Sequence, residues 1–172
     1  MCKTEWTNRA KEITGADDFA LMLDRLASMP RRFQEFVDAI PPARRRIRAS
    51  NGNFSLQEHA CHLRDIEIEA YRVRLECILA EPTPMLADID GGKLARDREY
   101  HRQDLATAQS VFAAVRADMV HRLASLLPEE RLRTGVMEGV GEISVDGLVE
   151  MMLAHDAEHV ADLAQLRREL AD

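Results

Sequence analysis

The order of apolar and polar residues along the chain predicts four long amphipathic helices. Apolar residues recur three and four positions apart, as one face of an α-helix requires, and the alternation typical of strands is nearly absent. The inward faces are expected to include Val73 in the second helix and Val111 in the third. The predicted helices run from Asp17 or Asp18 to about Ala39, from Ser55 to about Pro82, from Gln103 to Leu127, and from Ser144 to Leu170.

Local signals mark where two of these helices begin. Ser55 with Glu58 three residues later forms the pattern of a capping box, and Ser144 is another favourable N-cap. Pro30 lies inside the first helix, and we expect it to kink or split that helix because proline removes one backbone hydrogen bond.

The connection between the second and third helices is long enough to cross the whole bundle. Fully extended, it would reach roughly 60 Å, which exceeds the roughly 40 Å of a helix of about 27 residues. The second and third helices can therefore run parallel. The sequence predicts an all-α, four-helix bundle with up-down-down-up order and a long crossover between helices two and three. This linker contains Asp88, Asp90, Gly91 and Gly92.

Size and charge narrow the class of protein. The 172 residues fit one domain, residues 1–172, in which residues 1–16 are expected to form an irregular N-terminal extension. The net charge of −7 argues against a broad nucleic-acid-binding surface. One basic cluster, Arg44 to Arg48, is interpreted as a solvated loop, with a clamp for a carboxylate or phosphate as the alternative.

Cysteine usage favours a reducing compartment. Cys61 and Cys77 are predicted on one helix, 16 residues and roughly 24 Å apart, so they cannot form a disulfide with each other. The N-terminal residues around Cys2 show no apolar stretch of the kind expected for a signal peptide. No apolar run approaches the roughly 18 residues that span a bilayer. We therefore expect a soluble, cytoplasmic protein with no membrane partner.

Three histidines carry the most specific chemical signal. His155 and His159 are four residues apart on one helix face, where their Cβ atoms would lie about 6 Å apart. That spacing lets two imidazoles bind one metal ion, and His62 on another helix could complete a site with an open coordination position. The alternative is a structural role in which hydrogen bonds satisfy the buried rings.

Two neighbours of His62 are further candidates. Asp65, one turn later, is predicted to orient His62 through its second ring nitrogen, with a surface charge near the helix start as the alternative. His59 could be a fourth ligand, a substrate-facing base or a surface residue, and the surface position is the one expected. His101 and His121 are expected to be exposed.

Three neutral nitrogens suit Zn²⁺, Ni²⁺, Fe²⁺ or Cu²⁺ rather than Mg²⁺ or Ca²⁺, and we expect zinc or nickel. Residues 155–159 also match H-x-x-E-H, the inverted zincin signature. That class takes its third ligand from a distant downstream glutamate, whereas only 13 residues follow His159. The peptidase interpretation is therefore disfavoured.

Several segments together resemble the DinB-like, YfiT-type family of metal-binding four-helix bundles. The segment from Phe54 to Asp65 resembles the start of that family's second helix, although Phe54 stands where tryptophan is common. The segment from Ile143 to Leu148, followed by His155-Asp156-x-x-His159, resembles its fourth helix with the His-Asp-x-x-His ending. Val111-Phe112, Arg116 and Leu123 fit its third helix. The resemblance extends over about Asp17 to Leu170.

This resemblance implies an up-down-down-up bundle, frequent homodimers, and a metal held by His62, His155 and His159. Relatives in the family include S-transferases and isomerases that use a low-molecular-weight thiol, namely bacillithiol, mycothiol or glutathione, and metal-dependent hydrolases. We expect no additional C-terminal domain of the kind found in mycothiol-dependent maleylpyruvate isomerases, which disfavours that specific assignment. The resemblance as a whole leads us to expect a metal-dependent thiol S-transferase acting on small electrophiles. The alternatives are a metal-dependent hydrolase, a non-catalytic metal-binding stress-response module and a purely structural bundle.

Overall fold

Six helices make up most of the computed structural model, which describes residues 16–171. All four predicted helices are present, and within residues 16–171 no helix is both long and apolar enough to cross a membrane. The predicted irregular extension lies outside the described residues, apart from Ala16, with which the first helix begins. The helices are α1 (Ala16–Ala39), α2 (Leu56–Ile66, continued by a π-helical turn, Glu67–Tyr71, and by Arg72–Ala80), α3 (Gly91–Asp97), α4 (Leu105–Ala124), α5 (Pro128–Arg131) and α6 (Val145–Leu170).

The prediction of a purely helical fold needs one correction, because three short strands form a small sheet. Strand β1 (Met85–Leu86) pairs in parallel with β2 (Thr134–Met137), which pairs antiparallel with β3 (Gly141–Ser144). The register places Thr134 opposite Ser144 and Met137 opposite Gly141. Strands of two to four residues are too short to produce a recognisable alternation, which is why the sequence pattern missed them.

Helix α1 runs without interruption through Pro30, so the expected split does not occur. Proline has no N–H to donate to the carbonyl four residues earlier, which belongs to Leu26. That carbonyl accepts a hydrogen bond of 3.2 Å from Nη1 of Arg116 on α4. A side chain from a neighbouring helix therefore replaces the missing backbone donor.

The N-caps predicted at Ser55 and Ser144 are confirmed, whereas Asp17 and Asp18, where the first helix was expected to start, lie inside α1. The Ser55 hydroxyl accepts from the backbone N–H of Glu58, and the Glu58 carboxylate accepts from the backbone N–H of Ser55, so the capping box is complete. The Ser144 hydroxyl accepts from the backbone N–H of Gly147 at 3.1 Å. These caps place the starts of α2 and α6, the two helices that carry the candidate metal ligands.

The buried core consists of two apolar clusters separated by a polar layer. On α4, Met119 belongs to one cluster and Phe112 to the other, and the buried Arg116 lies between them. On α6, Met152 and Leu163 belong to different clusters, and the histidine pair lies in the interval. Two residues predicted to face the core are instead surface residues: Val73 is 43% exposed and Val111 is 36% exposed.

Several contacts fix which parts of the long helices meet. Gln109 on α4 donates to Gln34 on α1 at 2.6 Å; Gln34 is C-terminal to Leu26, whereas Gln109 is N-terminal to Arg116, which bonds to Leu26. Arg44, which follows α1, donates to the carbonyl of Leu170 at the end of α6. The C-terminal ends of α1 and α6 therefore lie side by side.

Candidate metal centre

The three predicted metal ligands meet in the polar layer between α2 and α6. Nε2 of His155 lies 3.2 Å from Nε2 of His62 and 3.0 Å from Nε2 of His159. One ring nitrogen from each histidine falls within 4.8 Å of the others, and His62 and His159 are buried. The structure therefore brings together side chains that are 93 residues apart in the chain.

Hydrogen bonding alone cannot satisfy this cluster. The Nε2 atom of His155 carries either one proton or one lone pair, yet it faces two other ring nitrogens. The buried Nδ1 atoms of His62 and His155 have no hydrogen-bond partner among the described residues. An ion about 2.0–2.1 Å from each Nε2 would hold the nitrogens roughly 3.4 Å apart in tetrahedral geometry, close to the separations observed. The donor set therefore fits a divalent transition metal.

Burial keeps these rings in the protonation state that a metal needs. It lowers the pKa of His62 to about 4 and that of His155 to about 3, and it brings the pKa of His159 well below its ordinary value. Neighbouring histidines lower the pKa values of His155 and His159 further. The imidazoles are consequently neutral at neutral pH, and only a neutral imidazole can ligate a metal.

The same pKa shifts predict that the metal-free protein is sensitive to acid. An unfolded histidine titrates near pH 6.5, so the unfolded chain binds more protons than the folded chain below that value. The buried histidines therefore do not reduce the free energy of unfolding above about pH 6.5. They reduce it increasingly as the pH drops towards their folded pKa values of about 3 to 4. At pH 5, His62 and His155 each reduce the free energy of unfolding by about 2 kcal/mol, and His159 acts in the same direction.

Urea unfolding of chelator-treated protein at pH 7.5 and pH 5 measures this effect. A variant with His101→Ala and His121→Ala, which removes two exposed histidines, should retain the full difference between the two pH values. Equal free energies of unfolding for the wild-type protein at both pH values would contradict the prediction.

The linker between α2 and α4 packs directly against His62. A Cβ atom added at Gly91 would lie 2.5 Å from Cε1 of His62 and 3.1 Å from its Nδ1. The ring of Phe54 approaches from the α2 end, with its centroid 5.3 Å from that of His62. Sequence reasoning placed Gly91 in the linker but could not detect this approach.

Gly91→Ala is expected to push the His62 ring out of place, because the new methyl group needs space that the ring occupies. Overpacking of this kind costs about 1–3 kcal/mol of stability. Gly92→Ala is the matched control, since its Cβ would meet only side-chain ends, Asp90 Oδ1 at 3.3 Å and Arg96 Nη1 at 3.5 Å. Urea unfolding of both variants measures the difference, and equal stability would refute the steric argument.

Two candidates near His62 differ from expectation. His59 is 1% exposed rather than on the surface, and its Nδ1 lies 2.9 Å from Nδ1 of His159. Asp65 is buried and accepts hydrogen bonds from three side chains. No hydrogen bond in the described part of the chain joins it to His62. Its predicted orienting role is therefore not observed. The Asp65 donors are Arg64 Nε at 2.6 Å, Arg98 Nη1 at 2.9 Å and the Tyr100 hydroxyl at 2.8 Å. His101 and His121 are exposed, as predicted.

A buried ion network beneath the histidines escaped the sequence analysis. Arg116, 1% exposed, donates to Glu67 at 2.7 and 2.9 Å and to Asp156 at 2.6 and 3.1 Å. These bonds involve all three guanidinium nitrogens, and Nη1 donates in addition to the carbonyl of Leu26. Asp156 directly follows His155, so the network fixes the rotation of α6 about its axis. Arg116 lies one turn after Phe112 on the apolar face of α4. A charged residue on an otherwise apolar helix face was the signal from which the sequence could have indicated a buried ion pair.

The charges in this network are mutually dependent. Burial alone would lower the pKa of Arg116, but Glu67 and Asp156 outweigh that effect and raise it. Burial raises the pKa values of both carboxyl groups, and Arg116 only partly offsets that rise. Removing the guanidinium would therefore leave two carboxylates without compensation.

The basic cluster after α1 is bound to acceptors within the protein. Arg45 donates to the carbonyls of Ile40 at 2.9 Å and Val37 at 2.7 Å, at the C-terminal end of α1. Arg48 donates to the Glu58 carboxylate. Burial alone would raise the pKa of Glu58, but the hydrogen bonds from Arg48 and Ser55 outweigh that effect and lower it. These guanidinium groups stabilise the α1–α2 connection, which weakens the interpretation as a ligand clamp.

Comparisons with known proteins identify the family and the fold of the chain. A family model described as the DinB superfamily matches residues 25–163 of the chain. No curated protein matches the sequence. Among solved structures, YfiT from Bacillus subtilis is similar, with a TM-score of 0.84 and 16% sequence identity over 92% of this chain and 91% of that chain. YfiT is described as "a probable metal-dependent hydrolase with an unusual four-helix bundle topology". At this level of identity, the likeness establishes the fold alone.

Proposed function

We propose that this chain, which belongs to the DinB superfamily, is a metal-dependent enzyme whose ion is held by His62, His155 and His159. The observation that carries the proposal is the convergence of three Nε2 atoms that hydrogen bonds cannot satisfy together. Their neutral state and burial support it further. Zinc or nickel is the proposed metal, since both accept three imidazole ligands.

Three residues of the site would bind the metal, and Gly91 would help to position one of them. His62 approaches from α2 and the His155–His159 pair from α6, and three protein ligands leave room for one further ligand in a tetrahedral site. Gly91 closes the side of His62 that faces the linker. When bound, the metal supplies Lewis acidity that brings the pKa of a water molecule, or of a thiol, near or below neutrality.

The proposed reaction is attack of water or a thiol on a small electrophilic substrate. The oxygen or sulfur would bond to the electrophilic atom as the bond to the leaving group breaks, and the nucleophile's proton would pass to the leaving group or to solvent. The description of YfiT as a probable metal-dependent hydrolase supports water as the nucleophile. The sequence resemblance to thiol-dependent S-transferases supports a low-molecular-weight thiol instead. Both reactions use the same three histidines and differ only in the nucleophile. A homodimeric assembly remains a prediction from the sequence.

We infer that the long helices follow an up-down-down-up order with a crossover from α2 to α4. The adjacent ends of α1 and α6 support a parallel arrangement of these two helices. The pairing of His59 with His159 and of His62 with His155 supports antiparallel packing of α2 and α6.

Turnover by the metal-loaded protein tests the proposed function. Protein reconstituted with zinc or nickel is incubated with monochlorobimane and glutathione, bacillithiol or mycothiol, and separately with p-nitrophenyl acetate as a hydrolysis probe. We expect turnover in one assay that requires stoichiometric metal and disappears in the variant with His155→Ala and His159→Ala. Turnover in neither assay would contradict the enzyme proposal and favour a non-catalytic metal-binding module.

A further inference from the structure

His59 contacts His159, one of the proposed ligands, at the ring nitrogen that does not face the other two ligands. It precedes His62 by one turn of α2, so the two rings face α6 from the same side of the helix. His62 meets His155, while Nδ1 of His59 meets Nδ1 of His159 at 2.9 Å. The two rings are nearly perpendicular, with an interplanar angle of 82° and centroids 5.0 Å apart.

Metal binding at Nε2 of His159 determines which of these rings is the donor. A neutral imidazole that ligates through Nε2 carries its proton on Nδ1, so Nδ1 of His159 must donate. Among the described residues, Nδ1 of His59 is the one ring atom that faces that proton at hydrogen-bond distance, so it must accept. His59 therefore carries its own proton on Nε2, a buried atom without a partner among the described residues.

Resting on the proposed function, we infer that His59 is a positioning residue: its Nδ1 accepts a hydrogen bond from His159 and holds that ring ready to bind metal through Nε2. Of the three ligands, His159 alone has such support among the described residues, because the outer nitrogens of His62 and His155 have no partner there. Partners of this kind fix the ring orientation and tautomer of a ligand and raise its basicity. The buried, unpaired Nε2 of His59 is an unfavourable feature that the hydrogen bond to His159 offsets.

A second metal ion held by His59 is the competing interpretation. His59, His159 and Asp162 each offer a donor atom within 4.8 Å of the others. Occupation of both sites would require His159 to bind one ion through each nitrogen, so it would have to lose its remaining proton. The Asp162 carboxylate already accepts a hydrogen bond from Asn53 at 2.9 Å. The single hydrogen bond between neutral rings is therefore the interpretation that we adopt.

Zinc affinity of two matched variants tests the inference. His59→Leu fills similar space without an acceptor, whereas the Oδ1 atom in His59→Asn falls near the position of Nδ1 and can still accept. We expect His59→Leu to weaken zinc binding about 10- to 100-fold and His59→Asn to stay within about threefold of the wild type. Affinity is measured by competition with a chelator on the full chain, and urea unfolding of the metal-free variants reports any packing defect separately.

Each outcome decides between the proposals. Equal zinc affinity in all three proteins, or equal loss in both variants, overturns the positioning role and leaves the three-histidine site intact. A second zinc equivalent that disappears in both His59→Leu and Asp162→Ala identifies His59 as a ligand, which also overturns it. A wild-type chain that binds no zinc overturns the proposed function and this inference together.

Ring nitrogen chemical shifts provide an independent readout on the zinc-loaded protein. The inference requires a protonated Nε2 and an unprotonated Nδ1 on His59. The opposite tautomer would show that His59 does not accept from His159, and the positioning role would be excluded.

Discussion

Arg116→Met is expected to lower the free energy of unfolding by about 3–5 kcal/mol, the range seen when one partner of a buried ion pair is removed. The substitution leaves the carboxylates of Glu67 and Asp156 buried without their shared cation. It also leaves the carbonyl of Leu26 unpaired, because Pro30 has no N–H to replace the guanidinium. Methionine fills part of the space, so loss of charge dominates the effect.

Urea unfolding at neutral pH measures this change, and Arg122→Met on the same helix is the control. Arg122 is exposed, so its replacement should change stability by no more than about 0.5 kcal/mol. A similar small loss in Arg116→Met would show that the buried network contributes little.

The destabilisation by Arg116→Met should also depend on pH. Without the guanidinium, burial raises the pKa values of Glu67 and Asp156 further above those of the unfolded chain. The folded variant then binds more protons than its unfolded chain, so its deficit relative to wild type shrinks as the pH falls towards about 4 to 5. Arg116 also lowers the pKa of His155, so its removal weakens the acid sensitivity of that histidine and shrinks the deficit at low pH in the same direction. A deficit that stays constant from pH 7 to pH 5 would instead indicate lost packing.

A variant with His155→Ala and His159→Ala is expected to lose metal binding altogether. One remaining imidazole, His62, cannot hold an ion that three imidazoles hold, and we expect affinity to fall by at least about a thousandfold. Elemental analysis of protein purified without a histidine tag, after supplementation with zinc and nickel, measures the metal content. Stoichiometric metal is expected in the wild type and none in the variant.

The control for this experiment removes the same number of histidines from the surface. The variant with His101→Ala and His121→Ala should bind metal as the wild type does, because both side chains are exposed and lie outside the cluster. Metal retained by the His155→Ala and His159→Ala variant, or absent from the wild type after supplementation, would contradict the proposed centre.

Much of the helical framework and the pairing of His155 with His159 were predictable because their signals are local. The capping box at Ser55 and the N-cap at Ser144 depend only on residues within three positions. The pairing of His155 with His159 follows from helical periodicity, and both predicted exposed histidines are exposed.

Other features depend on partners far away in the chain. Arg116 receives its acceptors from α1, α2 and α6, and the approach of Gly91 to His62 depends on how the linker folds back. The burial of His59 and the partners of Asp65 likewise follow from helix rotation and register. The sequence of one helix does not determine its rotation or its register relative to the other helices.

The amino-acid order alone determined where the main helices lie and which imidazoles share a helix face, since backbone hydrogen bonding and periodicity act over a few residues. Only the tertiary structure decided that Nε2 of His62 meets the α6 pair, that His59 reaches Nδ1 of His159, and that one guanidinium joins three helices. The physical reason is that a buried polar group takes whichever partner the packing of the other helices brings to it.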